Sequence, residues 1–214
     1  MESRMARKNY GKIKSRDSFY IITNGEKTEW NYFNLLKKYK SIYKVKVVFH
    51  NSDPFGLVTF ACNKAEDANQ IWCVFDIDSS YEEGRLIDAI LYAEKNGIKY
   101  AFSNRAFEVW LISHFKKCEN HMDCQAHQKE LDKYLMLKAK QKYIKGDEKQ
   151  LATYFVPCYI NAVQNAKIVH QKWVRDHLTE CGSKSKYRIW DWNSCTTVYK
   201  LVEALKLQIV DDSD

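Results

Sequence analysis

The chain has little of what breaks a fold into pieces: two prolines and seven glycines among 214 residues. That scarcity excludes a Pro/Gly-rich linker, and with no internal repeat and no low-complexity block it leaves no firm domain boundary. No run of about 18 apolar residues occurs, so no segment reads as a membrane-spanning helix. The opening "MESRMARKNYGKIKSR" lacks the apolar stretch that a secretory leader requires, and the expected location is the cytoplasm, with no membrane association. The seven cysteines are odd in number and contain no C-x-x-C, so they read as reduced thiols and small core residues rather than as a disulfide framework. What is present is 45% hydrophobic and 14% aromatic residues, enough to bury a sizeable core as one domain or one domain with a helical annex. A formal charge of +7 suits a polyanionic partner without requiring one.

Residues 1–16 carry Arg4, Arg7, Lys8, Lys12, Lys14 and Arg16 with little to bury, and read as a basic flexible arm, either solvated or in contact with nucleic acid. After the arm the pattern alternates. Apolar, β-rich runs at 18–24, 44–50, 70–76 and 98–104 are separated by helical spacing at 28–40, 55–65 and 81–97. This βαβαβαβ order predicts a mainly parallel four-stranded sheet flanked by helices, with any site in the crevice at the carboxyl ends of the strands. Beyond residue 105 the spacing is helical, over about 105–116, 127–143, 148–154, 158–180 and 194–207. The resulting divisions are the arm, an α/β core over 17–115, a helical extension over 116–208 packed on it, and an acidic tail over 209–214.

Where the third apolar run ends, "VFDID" sets Asp76 and Asp78 two residues apart, on the same side of a strand at the mouth of the predicted crevice. Two converging carboxylates repel unless a positive charge sits between them, and a hard divalent cation such as Mg²⁺ or Mn²⁺ is the economical answer. The competing role for an aspartate there is to cap the next helix, but Ser79 with Glu82, or Ser80 with Glu83, already matches a capping box. The first run leaves through "ITNGEKTEW", where Gly25 permits a tight turn and Thr28 and Glu29 open a helix. On its own this is an ordinary strand-to-helix turn.

Taken together, "NGEKTEWNYF" (24–33), "VFDID" (74–78), "GIKYAFSNRAFEVWLISHF" (97–115) and "TTVYKLVEAL" (196–205) resemble the RloB-like family, in order and spacing, over roughly residues 16–208. The resemblance implies a Toprim-type α/β core with added helices, a role in prokaryotic antiphage defence, and frequent partnership with an ABC-type ATPase. It further implies that Asp76 and Asp78 hold Mg²⁺ together with a glutamate after the first strand. Here the sequence departs from the pattern: the position that normally carries glutamate before the glycine is Asn24, which offers a carbonyl oxygen but no charge and cannot act as a base. Glu29, a position where the family carries glutamate, is the residue expected to supply part of the missing charge, with Glu26 and Lys27 on the same turn. Asn24, Glu29, Asp76 and Asp78 are therefore the candidate catalytic and metal-binding residues.

Asn104, Glu108 and His114 follow the fourth run as candidate supporting or substrate-contacting groups; for His114 a core or supporting role is favoured, because nothing places a nucleophile beside it. His114, Cys118, His121, Cys124 and His127 fall within fourteen residues, but their spacing is that of no standard zinc finger, leaving structural zinc as the lesser reading against a polar loop. Lysines interleave with aromatics at 37–46, 133–145 and 184–192, and Lys184, Lys186 and Arg188 beside Tyr187, Trp190 and Trp192 are the best candidates for holding phosphates and stacking bases, against the alternative of solvated faces. Two functional classes follow. One is a Mg²⁺-dependent nuclease acting on RNA or DNA, tRNA among them, as effector of abortive infection and attenuated by Asn24. The other is a non-catalytic component of a defence complex that binds nucleic acid or the ATPase. Oligomeric state stays open.

Overall fold

A computed structural model describes residues 18–39, 41–65, 68–78, 85–181 and 189–207, the side chains of 178–181 excepted. The basic arm, the capping-box serines, Lys184, Lys186, Arg188 and the acidic tail lie outside the described residues. Four strands run parallel: β1 (Ser18–Thr23), β2 (Lys44–Phe49), β3 (Gln70–Ile77) and β4 (Lys99–Asn104). Their crossovers are α1 (Thr28–Leu36), α2 (Pro54–Cys62) and α3 (Arg85–Lys95). The β3 sequence QIWCVFDI is buried along nearly its whole length because helices cover both faces of a parallel sheet, which is why it shows no polar alternation.

The sheet has five strands, in the order β2-β1-β3-β4-β5, rather than the four expected from sequence. The fifth, β5 (Cys195–Thr196), runs antiparallel on β4 and lies where the spacing predicts the start of a helix. Two residues cannot display a strand period. What fixes them is a polar seam: Ser103 and Thr196 share a hydroxyl bond of 2.9 Å, and the Thr197 N–H donates to the Phe102 carbonyl at 2.9 Å. The helix itself, α8, is Val198–Ala204.

The remaining elements are α4 (Glu108–Ser113), α5 (Cys124–Ala139), a single helical turn α6 (Glu148–Gln150) that continues through a π-turn and a 3₁₀ turn to residue 158, and the long α7 (Tyr159–Cys181). No described helix is long and apolar enough to cross a membrane. Helices α1, α4 and α8 pack on one face of the sheet through Tyr32, Phe33, Trp110, Leu111, Leu201 and their neighbours, while α2 and α3 cover the other through Leu57, Val58, Ala89 and Ile90. α1 and α2 thus lie on opposite faces, and the chain leaves β1 toward β2 on one side but reaches β3 on the other. The carboxyl ends of β1 and β3 flank that reversal, which is where open α/β sheets form their crevice.

One departure in the extension bears on the site. Sequence spacing carries α5 to residue 143, whereas the helix stops at Ala139 and Lys140 turns left-handed at φ 57°. Residues 141–147 then form a loop pinned by side chains: the Tyr143 N–H donates to Asp132 at 2.8 Å, and Gln150 accepts from the Ile144 N–H at 2.9 Å while donating to the Lys142 carbonyl at 2.8 Å.

Candidate active site

The ends of β1 and β3 are stitched together: the Asn24 N–H donates to the Val74 carbonyl at 3.2 Å, two residues before Asp76. Between them opens a crevice of about 330 Å³ lined by Asn24, Gly25, Glu26, Lys27, Thr28, Glu29, Asp76, Asp78 and Lys145. Every residue expected to act directly is in that lining. A larger cavity of about 410 Å³ lies toward the other ends of β3 and β4, lined by Trp72, Tyr100, Phe102, His170 and Trp192, but it contains no carboxylate.

Gly25 leaves room here for the Glu29 side chain, and its backbone angle is not the left-handed one. A Cβ at that position would overlap the carboxylate of Glu29, which folds back over the turn. Glu29 is 5% exposed, and its carboxyl is raised above the usual range by burial, an effect that a backbone N–H at the start of α1 opposes and Glu108 reinforces. Asp76 is half-buried by its surface, yet its carboxylate is walled in deeply enough that burial pushes it well above the usual range; Glu29 and Glu108 add to the rise, and Lys145 and the Phe107 N–H only partly offset it. Asp78, the second residue of the pair, is exposed at the rim.

Glu108 enters from the first turn of α4, 6% exposed, and accepts a hydrogen bond from the Tyr143 hydroxyl at 3.2 Å. Its other partner is Lys145, whose Nζ stands 3.7 Å away. Burial would lower the Lys145 ammonium, but Glu108, Glu29 and Asp76 together hold it above its ordinary value. Sequence reasoning placed Lys145 only within a basic stretch. The signal that could have found it is "KGD": Gly146 takes φ 76°, its carbonyl accepts from Asn31 at 2.8 Å, and Asp147 caps α6. A turn so anchored to α1 fixes the backbone of its preceding lysine beside the crevice.

The supporting candidates divide. Asn104 is buried and spends its amide on the carbonyls of Ile189 and Trp190, at 3.0 and 2.7 Å, away from the crevice lining. His114 is buried against α1: its Nδ1 lies 3.0 Å from the Trp110 carbonyl and must donate, so Nε2 accepts from the Tyr32 hydroxyl at 3.0 Å. Burial lowers this imidazole to about 4, and it stays neutral at ordinary pH. In the His/Cys stretch, His127 bonds Ser194 at 2.8 Å, Cys118 is buried and Cys124 exposed. Among the described residues no group of three or more His, Cys, Asp or Glu side chains stands ready to hold a metal ion.

The molecule is thus an α/β protein whose mainly parallel sheet opens an acidic crevice at its topological switch point. The chain matches the family described as RloB-like protein over residues 19–205, most of its length, and belongs to that family. No curated protein and no solved structure matches it.

Proposed function

We propose that the crevice is the site of metal-assisted phosphodiester cleavage in RNA or DNA, a Toprim-type nuclease serving as effector in prokaryotic antiphage defence. The observation that carries this reading is the crevice lining, which brings Asn24, Glu29, Asp76 and Asp78 from the ends of β1 and β3 to one opening, where Glu29 and Glu108 both raise the Asp76 carboxyl. Negative charge gathered out of water at the end of a parallel sheet destabilises the fold unless a ligand neutralises it. The donors are all oxygen, which fits a hard divalent ion, Mg²⁺ or Mn²⁺. Among the described residues no three acidic side chains are already gathered around one point, so an ion would have to draw them together.

In this reading Glu29 and Asp76 hold the ion, Asn24 adds an uncharged carbonyl oxygen, and Asp78 at the rim receives it from solvent. When bound, the ion supplies positive charge that stabilises negative charge on the phosphate oxygens. Gly25 keeps the Glu29 carboxylate folded over the turn, and Lys27 brings a cation to the crevice edge where a nucleic-acid backbone would pass. Asn24 favours the second reading, a non-catalytic partner of nucleic acid or of an ABC-type ATPase, because it removes a charge that the resemblance leads one to expect at the turn.

The experiment is cleavage of labelled RNA and DNA in Mg²⁺, Mn²⁺ or EDTA, with Asp76→Ala as the control. Cleavage that needs metal and disappears in Asp76→Ala supports the nuclease. Failure of both the parent and Asn24→Glu to cut any substrate, together with nucleic-acid binding that is indifferent to metal, would leave the binding component as the better account.

A further inference from the structure

We propose that Lys145 is an exchangeable internal counter-ion, which occupies the carboxylate cluster when no divalent ion is bound and gives way when one arrives. The inference rests on the metal reading of the crevice and adds a competitor to it.

Position and attachment differ for this side chain. Its backbone is tightly fixed: Gly146 sits so close to α1 that a Cβ there would come within 2.6 Å of the Lys27 Cβ, Asn31 holds the Gly146 carbonyl, and Tyr143 on the same loop reaches Glu108. The ammonium, by contrast, is lightly held. It stands 3.7 Å from Glu108, outside hydrogen-bond distance, and its side chain is 66% exposed against 8% for Glu108. A fixed stem with a loosely held head delivers charge to one place while allowing the head to swing into solvent with little loss of contact. Its charge bears most on Glu108 and, more weakly, on Glu29 and Asp76, so it offsets the cluster beyond its nearest partner.

A divalent ion among the same carboxylates would be repelled by an ammonium already in the crevice. Lysine and metal therefore exclude each other, and part of the affinity for metal is spent in displacing the lysine. The lysine in turn keeps the metal-free protein folded around three carboxylates that would otherwise be poorly compensated.

The test uses the full chain, purified free of metal, with melting temperature followed during a MnCl₂ titration. Lys145→Gln keeps most of the aliphatic stem and removes the charge; Lys145→Arg keeps the charge. The expected results are a lower metal-free melting temperature for Lys145→Gln than for the parent, a Mn²⁺ midpoint about three- to tenfold lower, as suits loss of one partly exposed ion pair, and a near-parental midpoint for Lys145→Arg. An unchanged or higher midpoint in Lys145→Gln, while Asp76→Ala still abolishes the parental shift, overturns the exchange and leaves the metal site standing. Absence of any Mn²⁺ shift that depends on Asp76 overturns both.

Discussion

Two polar clusters lie within one side chain's reach of α1, and they are built on opposite terms. His114 and Tyr32 form a closed pair: each polar atom of the imidazole has a partner, aromatic rings of Tyr32, Trp110 and Phe155 surround it edge-on, and no charge is buried. Glu29, Asp76 and Glu108 form an open one, in which acidic groups raise one another and Lys145 only partly offsets them. A fold gains from the first arrangement and loses from the second. On the reading proposed above, the chain keeps the second at its switch point for a ligand rather than for stability.

The comparison breaks most visibly at the closed cluster. His114→Ala leaves a cavity among aromatic rings and strips the buried Tyr32 hydroxyl of its acceptor, and should cost about 3 kcal/mol in denaturant unfolding. Any Mn²⁺-induced rise in melting temperature should persist in this variant, because His114 lies outside the crevice lining. Loss of that rise in a protein that still unfolds cooperatively would show that the two clusters are not independent.

Next in size is Gly25→Ala. The added methyl must displace the Glu29 carboxylate from its place over the turn; because that carboxylate ends a flexible side chain, stability should fall by only about 1 kcal/mol while most of the metal response is lost. Retention of a parental Mn²⁺ midpoint would show that Glu29 is not a ligand.

Acidity separates the clusters by sign. Asp76 and Glu29 have folded values raised above their ordinary 3.8 and 4.5, so the folded state binds the extra protons. Their contribution to stability is fully present below those ordinary values and is lost as pH rises through the raised ones. His114 runs the other way: lowered from 6.5 to about 4, it contributes stability above 6.5 that is lost as pH falls toward 4. Between pH 4 and 6.5 the two oppose each other in metal-free protein. Asp76→Asn should raise stability at pH 7 by about 1 kcal/mol and make the loss on acidification steeper, since it removes a term that favours low pH. An unchanged pH profile in this variant would show that Asp76 is already well compensated.

The open cluster was half legible in the sequence, and the missing half has a physical cause. Asp76 and Gly25 could be placed because strand runs and turn residues are local patterns, and the switch-point rule then brings two distant turns together. Glu108 could be placed on a helix after β4, but its approach to Asp76 depends on how α4 docks. Lys145 arrives from a loop that exists because α5 stops four residues before its apolar spacing does and Gly146 turns left-handed; no periodicity reports that. β5 was missed for the related reason that its two residues are held by hydroxyl bonds to β4, not by a repeating pattern.

The smallest effect on stability, and the one that most sharpens the comparison, belongs to Asn24→Glu. Asn24 lines the crevice, and its N–H already fixes the end of β1 to β3, so the substitution should leave the backbone intact and alter only charge. A fourth carboxylate then joins three that are poorly compensated. Without metal, the variant should lose less than about 1 kcal/mol, since Asn24 is only half-buried and water screens part of the repulsion. With metal the order should invert: a charged ligand in place of a neutral one contributes about 1.4 to 2.8 kcal/mol to binding, so the Mg²⁺ needed for half-maximal stabilisation should fall roughly 10- to 100-fold. The same protein would thus be the less stable of the two in EDTA and the more stable in millimolar Mg²⁺, a crossing that a neutral structural turn cannot produce. Parallel melting curves for parent and variant across the titration would mean that the ion does not touch this turn, and that Glu29 faces the crevice for some other reason.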